Sequence, residues 1–431
     1  MFVRRVRGRT IRTGPAADNR EKQRRFGLRP SAYGLPCLPF VEWPCSQIEI
    51  VPHDQFTPRF CPRPGCPQHR VEPASFRYRR LRATYLRRCD GRVVPRFVCK
   101  ACRRGFSQQS FAVSYYLKRP ELTVPIAQGI VNGAAHRQIA RVAGCAPSTV
   151  TKRVARLGRH AQLLLQICVA ALPRLDEPLN YDDFETFTGS QYHPCGLGTS
   201  VGHHSWFLYG LGFAPHRRGG HLSPAQRRKQ AGWDRRGGKP VRDPYVIALH
   251  RQLDVMIPKA GIKPLLLVSD DKKDYARALK RHPLGNQVRH LIYPNPKRGP
   301  KGAKRTPEAR ERDRWMFPID ALHGFTRHSV KAHARETIAF GRRSEAQLER
   351  VHLFAAFRNL VKRRSERRPR SITPAMWVGL TDARWSWERV FAQRLQPSRI
   401  NGGAAWPELY DRKMRTPTLT RTPPHQLKLA Y

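Results

Sequence analysis

The sequence predicts a multidomain chain: a small metal-knuckle module, then an all-α helix-turn-helix, then an α/β body with basic insertions. Three observations predict it. Two close cysteine pairs flank a strand-like stretch, a helix–glycine turn–helix pattern follows them, and apolar strands alternate with amphipathic helices beyond residue 174. The 431 residues suffice for two to four domains and at least one substantial core. They carry 81 Lys and Arg against 31 Asp and Glu, a formal net charge of +50. Such a charge opposes compaction unless a polyanion neutralises it, and phosphate backbones are the usual partner.

Several function classes drop out at this level. No apolar run reaches the roughly 18 residues that a spanning helix needs, and Leu163–Leu172 is too short. The first ten residues lack the apolar core of a secretion signal. The 10 cysteines end at Cys195, so a disulfide scaffold would leave more than half of the chain unstapled. The thiols are therefore expected to be reduced, four of them on metal, in a cytosol or nucleoid.

Residues 1–55 are basic and proline-containing without a sustained period, which predicts a loose arm. Residues 56–112 hold the knuckles. Cys61 and Cys66 stand in Phe-Cys-Pro-Arg-Pro-Gly-Cys-Pro, and Cys99 and Cys102 in Phe-Val-Cys-Lys-Ala-Cys-Arg-Arg-Gly-Phe. Two thiol pairs on turns, separated by alternating bulky and basic residues, form the ligand set of a structural zinc ribbon. His69 and Cys89 are alternative ligands. Asp90-Gly91 supplies a hairpin turn before Val93–Val98.

Residues 121–160 predict the helix-turn-helix. One helix runs through Arg137 and Ile139, Gly144 makes the turn, and Pro147-Ser148 open the second helix. That helix is expected to bury Val150, Val154 and Leu157 and to expose Ser148, Thr149, Thr151, Lys152, Arg153 and Arg156. Small polar and basic residues there are what such proteins use to reach base edges and phosphates, so these residues and Arg137 are the candidate DNA contacts.

A helical linker near 160–172 leads to the α/β body at 174–395. Strands are expected at Leu179–Phe187, Ser205–Ala214, Pro264–Ser269 and Val288–Tyr293, and helices at Tyr245–Ile257, Asp271–Arg281 and onward from Pro318. Basic insertions at 216–242 and 294–314 interrupt it, and an irregular tail fills 396–431.

In so basic a chain, carboxylates at strand ends demand an explanation. Asp182 and Asp183 fall within a strand, Asp270 directly follows an apolar one, and Asp320 heads the predicted long helix. Ligands of open α/β sheets gather at the carboxyl edge of the strands. Three acids converging there could hold two Mg2+ ions, or Mn2+, for in-line phosphoryl displacement. Each aspartate taken alone reads more readily as a helix or turn cap, and only the ordered set favours the metal site. Arg327, Lys331 and Arg335 are expected to continue from Asp320 as a basic helical stripe along DNA. His203, His204, His323, His328 and His333 read as surface or DNA-facing residues, and Trp385 and Trp387 as packing.

With these motifs in hand, residues 56–360 resemble the DDE-type transposases of bacterial insertion sequences, in the integrase superfamily. The resemblance rests on the four cysteines, on Arg137 to Val150, on Asp182-Asp183 before an aromatic, and on Asp270 ahead of two lysines and Tyr275. It rests also on Ile319 to Arg342 as a terminal catalytic helix. It implies an RNase H-like catalytic domain with Asp182, Asp270 and Asp320 as the metal-binding acids, the last standing where the family has glutamate. Glu336, Glu345 and Glu349 are alternatives to Asp320, and Asp183 to Asp182. It also implies DNA strand cleavage by water and strand transfer by a 3′-hydroxyl. The partners would be double-stranded DNA, as element ends and target, and further copies of the chain on that DNA. The alternatives are a catalytically inactive zinc-ribbon DNA-binding regulator and a zinc-ribbon RNA- or ribosome-associated factor.

Overall fold

The cysteine-rich segment folds because short alternating strands can bury one aromatic face even in a basic sequence. In the computed structural model, which describes residues 48, 55–237, 241–296, 300, 304–400, 410–411 and 413–416, this segment is built of short β-strands joined by loops and 3-10 turns. Strands β1 (Tyr78–Arg80), β4 (Arg96–Cys99) and β5 (Gly105–Ser107) form an antiparallel sheet in the order β1-β4-β5. Between them, β2 (Tyr85–Arg87) and β3 (Arg92–Val94) make the expected hairpin. Gly91 turns it at φ +66°, a region that a side chain disfavours. Phe97 stacks on Phe106 at 5.6 Å between ring centres, and Phe60 and Phe111 pack beside them. All but two positions of the predicted arm at 1–55 and most of the tail at 396–431 lie outside the described residues.

The helical module consists of α1 (Thr123–Val131), α2 (His136–Val142) and α3 (Pro147–Ala171). The turn falls at Gly144, φ +55°, and Pro147 opens α3 at a position where its missing N–H costs nothing. The expected linker at 160–172 is in fact the second half of α3, a single helix of 25 residues. Its far end is buried on nearly every side. One apolar cluster runs from Val113 and α1 through α3 into the α/β body, so helical module and body share a core.

That body is built on a sheet of order β11-β10-β6-β7-β8, with the short β9 (Ala214–Pro215) paired to β7. Strands β6 (Leu179–Phe187), β7 (Pro194–Gly202) and β8 (Leu208–Leu211) form an antiparallel meander. After α4 (Pro224–Gly237), which lies in the first insertion, α5 (Pro244–Ala260) leads to β10 (Leu265–Ser269). Helix α6 (Lys273–Arg281) then crosses to β11 (Val288–Ile292). β10 lies parallel to both β6 and β11. Strand β7 is absent from the sequence reading, because its three glycines read as loop. They are there for a reason: a Cβ at Gly198 would lie 3.1 Å from Asp183 Oδ1, and one at Gly196 would lie 2.7 Å from Tyr245 Cε1.

Helix α7 (Pro307–Ser329) follows β11 and packs on β6, β7 and β10. It begins eleven residues before the expected start, capped by Thr306, whose hydroxyl accepts from the Ala309 N–H, and Pro318 lies within it. Asp320 is therefore mid-helix and caps nothing. The basic stripe also fails as a helix: α7 stops at Ser329, and Lys331 and Arg335 follow in a short 3-10 turn and irregular chain. Helix α8 (Ser344–Ala356) lies across α3 and β8. Short helices α9 (Pro374–Trp377) and α10 (Trp387–Val390) complete the order, with Trp385 and Trp387 buried as expected. Among the described residues no helix is long and apolar enough to cross a membrane.

Candidate functional site

Two sites emerge. In the first, the four cysteine sulfurs lie within 4.8 Å of one another, with Cys61–Cys102 at 3.8 Å and Cys66–Cys99 at 3.7 Å. Four thiolates about 2.3 Å from one cation at tetrahedral angles stand roughly 3.8 Å apart, so the set fits zinc. Burial drives the Cys61 thiol well above its ordinary range, a cost that a bound cation would reverse. His69 is not a ligand: Nδ1 lies 2.7 Å from the Cys61 carbonyl oxygen and Nε2 2.7 Å from Ser398 Oγ. Cys89 is exposed on the hairpin, away from the cluster.

The second site lies at the carboxyl edge of the large sheet. Pairing of β6 with β10 ends at Asn180 and Val268, so the two parallel strands part and leave a notch. Successive side chains of β6 point to opposite faces. Asn180, Asp182, Phe184 and Thr186 meet α7 and the turn after it: Asn180 donates to the Trp315 carbonyl, and Asp182 and Phe184 face His323. Tyr181, Asp183 and Glu185 meet α5 and α6 through Tyr275, Lys272 and Tyr245.

Asp182 Oδ1 accepts from Tyr275 Oη at 3.2 Å, and its Oδ2 lies 3.5 Å from His323 Nδ1. Burial, reinforced by the nearby charges of Asp270 and Asp183, raises the Asp182 carboxyl to about 7. Asp183 is more deeply held, with Tyr275 Oη at 2.8 Å and Lys272 Nζ at 3.4 Å. Burial raises it to about 6 against the pull of Lys272. Asp183 is thus paired with a lysine, whereas Asp182 answers to Asp270.

Asp270 accepts from the Lys272 N–H and, on its other oxygen, from Asn295 Nδ2 at 3.1 Å. Asp320 does not join the pair. Its side chain is 43% exposed and is held by Arg312, which also donates to Asn295 Oδ1 at 2.9 Å. Among the described residues only the cysteines bring three ligand atoms within 4.8 Å of one another; the three aspartates do not. The alternative acids lie elsewhere. Glu345 and Glu349 are buried on α8, and Glu336 is exposed in a left-handed turn at φ +55°.

The histidine reading needs correction. His323 is mostly buried and His333 almost wholly so; burial lowers both to about 3, so they are neutral. The signal that would have found His323 is the spacing of Met316, Ile319, Leu322 and Thr326, the buried line of α7, which sets His323 on its flank.

Of the candidate nucleic-acid contacts, Arg137, Ser148, Thr151 and Lys152 are exposed, and Thr149 is half-buried. Arg153 and Arg156 are not exposed, contrary to expectation. Arg153 donates to Thr123 Oγ1 and the Arg119 carbonyl, and Arg156 to the Tyr115 and Val113 carbonyls. They satisfy backbone acceptors ahead of α1. Arg327 lies over the Phe184 ring at 4.3 Å and reaches the Glu185 carbonyl, while Lys331 and Arg335 are exposed. No protein-family model matches the chain, and no curated protein or solved structure matches it either.

Proposed function

We propose that the chain is a DNA transposase of an insertion sequence, with an RNase H-like core that cleaves and joins DNA strands by metal-dependent in-line displacement. The observation that carries this reading is Asp182 and Asp270 at one sheet edge, near enough that the charge of one raises the carboxyl of the other. A buried carboxylate that feels the charge of a second one is costly unless something cationic offsets it. Divalent ions held there would activate an attacking water or 3′-hydroxyl and stabilise the departing oxygen. The Asp183 N–H donates to Asp182 Oδ1 and holds its rotamer, and Lys272 neutralises Asp183 so that it does not compete for the cation. The cysteine cluster with zinc, and the exposed turn of α3 with Lys152 and Ser148, would hold element-end duplex DNA in this reading.

The test is Mg2+- or Mn2+-dependent nicking and joining of labelled element-end DNA by the full chain, beside Asp270→Ala. Cleavage that Asp270→Ala abolishes supports the proposal. Tight duplex binding with no cleavage under either ion sinks it in favour of a DNA-binding regulator.

A further inference from the structure

A cluster of aromatic rings and arginines on the surface has no part in the chemistry above. Trp206, in the turn between β7 and β8, holds a backbone φ of +60°, a region that a bulky side chain rarely enters. Such strain persists only where the surroundings enforce it, and it gathers at ligand sites. The Trp206 ring meets Phe317 of α7 at 5.6 Å between centres, and the Arg364 guanidinium lies over it at 5.4 Å. Arg364 also lies over the Trp377 ring at 4.3 Å. Phe317, Trp206, Arg364 and Trp377 thus form one chain of contacts between planar groups.

The middle of this chain is pinned, and its ends are open. Arg364 donates from its guanidinium to the His204 carbonyl at 2.6 Å and from its backbone N–H to the Ile372 carbonyl at 3.0 Å. Thr373 caps α9, the helix that ends in Trp377. Phe317 is nevertheless 53% exposed and Trp377 51%. Rings held in place with half their surface in water present faces for a ligand rather than fill a core. The loop that Arg364 closes carries Arg367, Arg368 and Arg370, all exposed, and its one acid, Glu366, is paired with Lys362.

The cations alone would attract any phosphate backbone. The rings add selectivity, because a duplex hides its base faces within its own stack, whereas an unpaired strand offers them to aromatic and guanidinium planes. We propose that Phe317, Trp206, Arg364 and Trp377 form a stacking platform for unpaired DNA, with the 364–372 loop along its phosphates. The proposal rests on the nucleic-acid part of the proposed function and not on its metal chemistry. Platform and acidic edge are tied to one helix: Phe317 precedes His323 by six residues, about 9 Å along α7, and His323 faces Asp182.

The test is binding of a labelled 20-nucleotide single strand and of its duplex to the zinc-loaded full chain at matched salt, without divalent ions. Trp377→Ala and Phe317→Ala should each weaken single-strand binding by about fivefold or more and leave duplex binding within about twofold. Trp377→Phe keeps a ring and should retain single-strand binding within about threefold. No loss in either alanine variant, or an equal loss on both forms of DNA, overturns the platform. Wild-type protein that binds duplex but no single strand also overturns it and leaves the DNA reading standing. Wild-type protein that binds neither form removes both. RNA of the same sequence that displaces the single strand more effectively than DNA does overturns the assignment to DNA. If the alanine variants fail to fold, photocrosslinking of wild type to a strand carrying 5-iododeoxyuridine decides. Label on Trp377 or Phe317 supports the platform, and label confined to other segments refutes it.

Discussion

Replacing Asp182 by asparagine should stabilise the cation-free protein, and should do so only when the pH is high enough to ionise the wild-type acid. The Asp182 carboxyl is raised from 3.8 to about 7, first by burial and then by Asp270 and Asp183. A folded-state value above the unfolded one means that stability is fully present below about pH 4 and is lost as pH rises through 7. The shift corresponds to about 4 kcal/mol at pH 8, and the partial exposure of the side chain brings this to about 2–4 kcal/mol. Asparagine keeps the shape and carries no charge to bury, and its Oδ1 still accepts from the Asp183 N–H. Urea denaturation of zinc-loaded protein in buffer free of other divalent ions would measure the difference. The gain should be present at pH 8 and fall by about half at pH 5.5. A variant no more stable than wild type at pH 8, or one with an equal gain at both pH values, refutes the reasoning. Added Mn2+ should raise the wild-type midpoint at pH 8 and leave Asp182→Asn unmoved.

Four further variants have expected outcomes. Gly158→Ala gains about 1 kcal/mol of helix propensity. Its Cβ would lie 2.6 Å from Glu349 Cα, however, so α3 and α8 must separate, and a net loss of about 1–3 kcal/mol in chemical denaturation should result. Cys99→Ser should lower bound zinc from about one per chain to near zero by metal analysis and expose 56–112 to proteolysis, leaving the large sheet folded. Arg153→Ala should destabilise by about 1–3 kcal/mol by stranding the Arg119 carbonyl, whereas Lys152→Ala should leave stability alone and reduce the salt slope of DNA binding by about one.

The strands that sequence reads well are those whose apolar side chains carry the pattern. Leu179–Phe187 and Leu265–Ser269 stand where the alternation and the short apolar run put them, so Asp182 and Asp270 could be located as an edge pair from sequence. Strand β7 was hidden because its identity lies in what its glycines make room for: Asp183, Tyr181 and Tyr245 from elsewhere in the chain. The start of α7 was hidden by Pro318, which reads as a helix opening, yet tertiary packing of Met316 and Ile319 carries the helix through it. That error displaced Asp320 to a cap and His323 to the surface. Arg156 projects away from the line of Val150, Val154 and Leu157, and Arg153 falls on its flank, where a cation reads as solvated. The carbonyls they serve belong to a segment that precedes α1, and no local pattern announces it.

The 25-residue α3 has a mechanical consequence. At 1.5 Å per residue it is a rod about 37 Å long, with its first turn exposed and its last turns embedded beneath the large sheet. No hinge intervenes, so a duplex gripped at the first turn would be held at fixed offset and phase to the sheet that carries the acids. Adding or deleting one residue in the rod's middle would swivel the grip by about 100°. Under the proposed reading, the interval between recognised bases and severed bond is thus a ruler cut into the polypeptide.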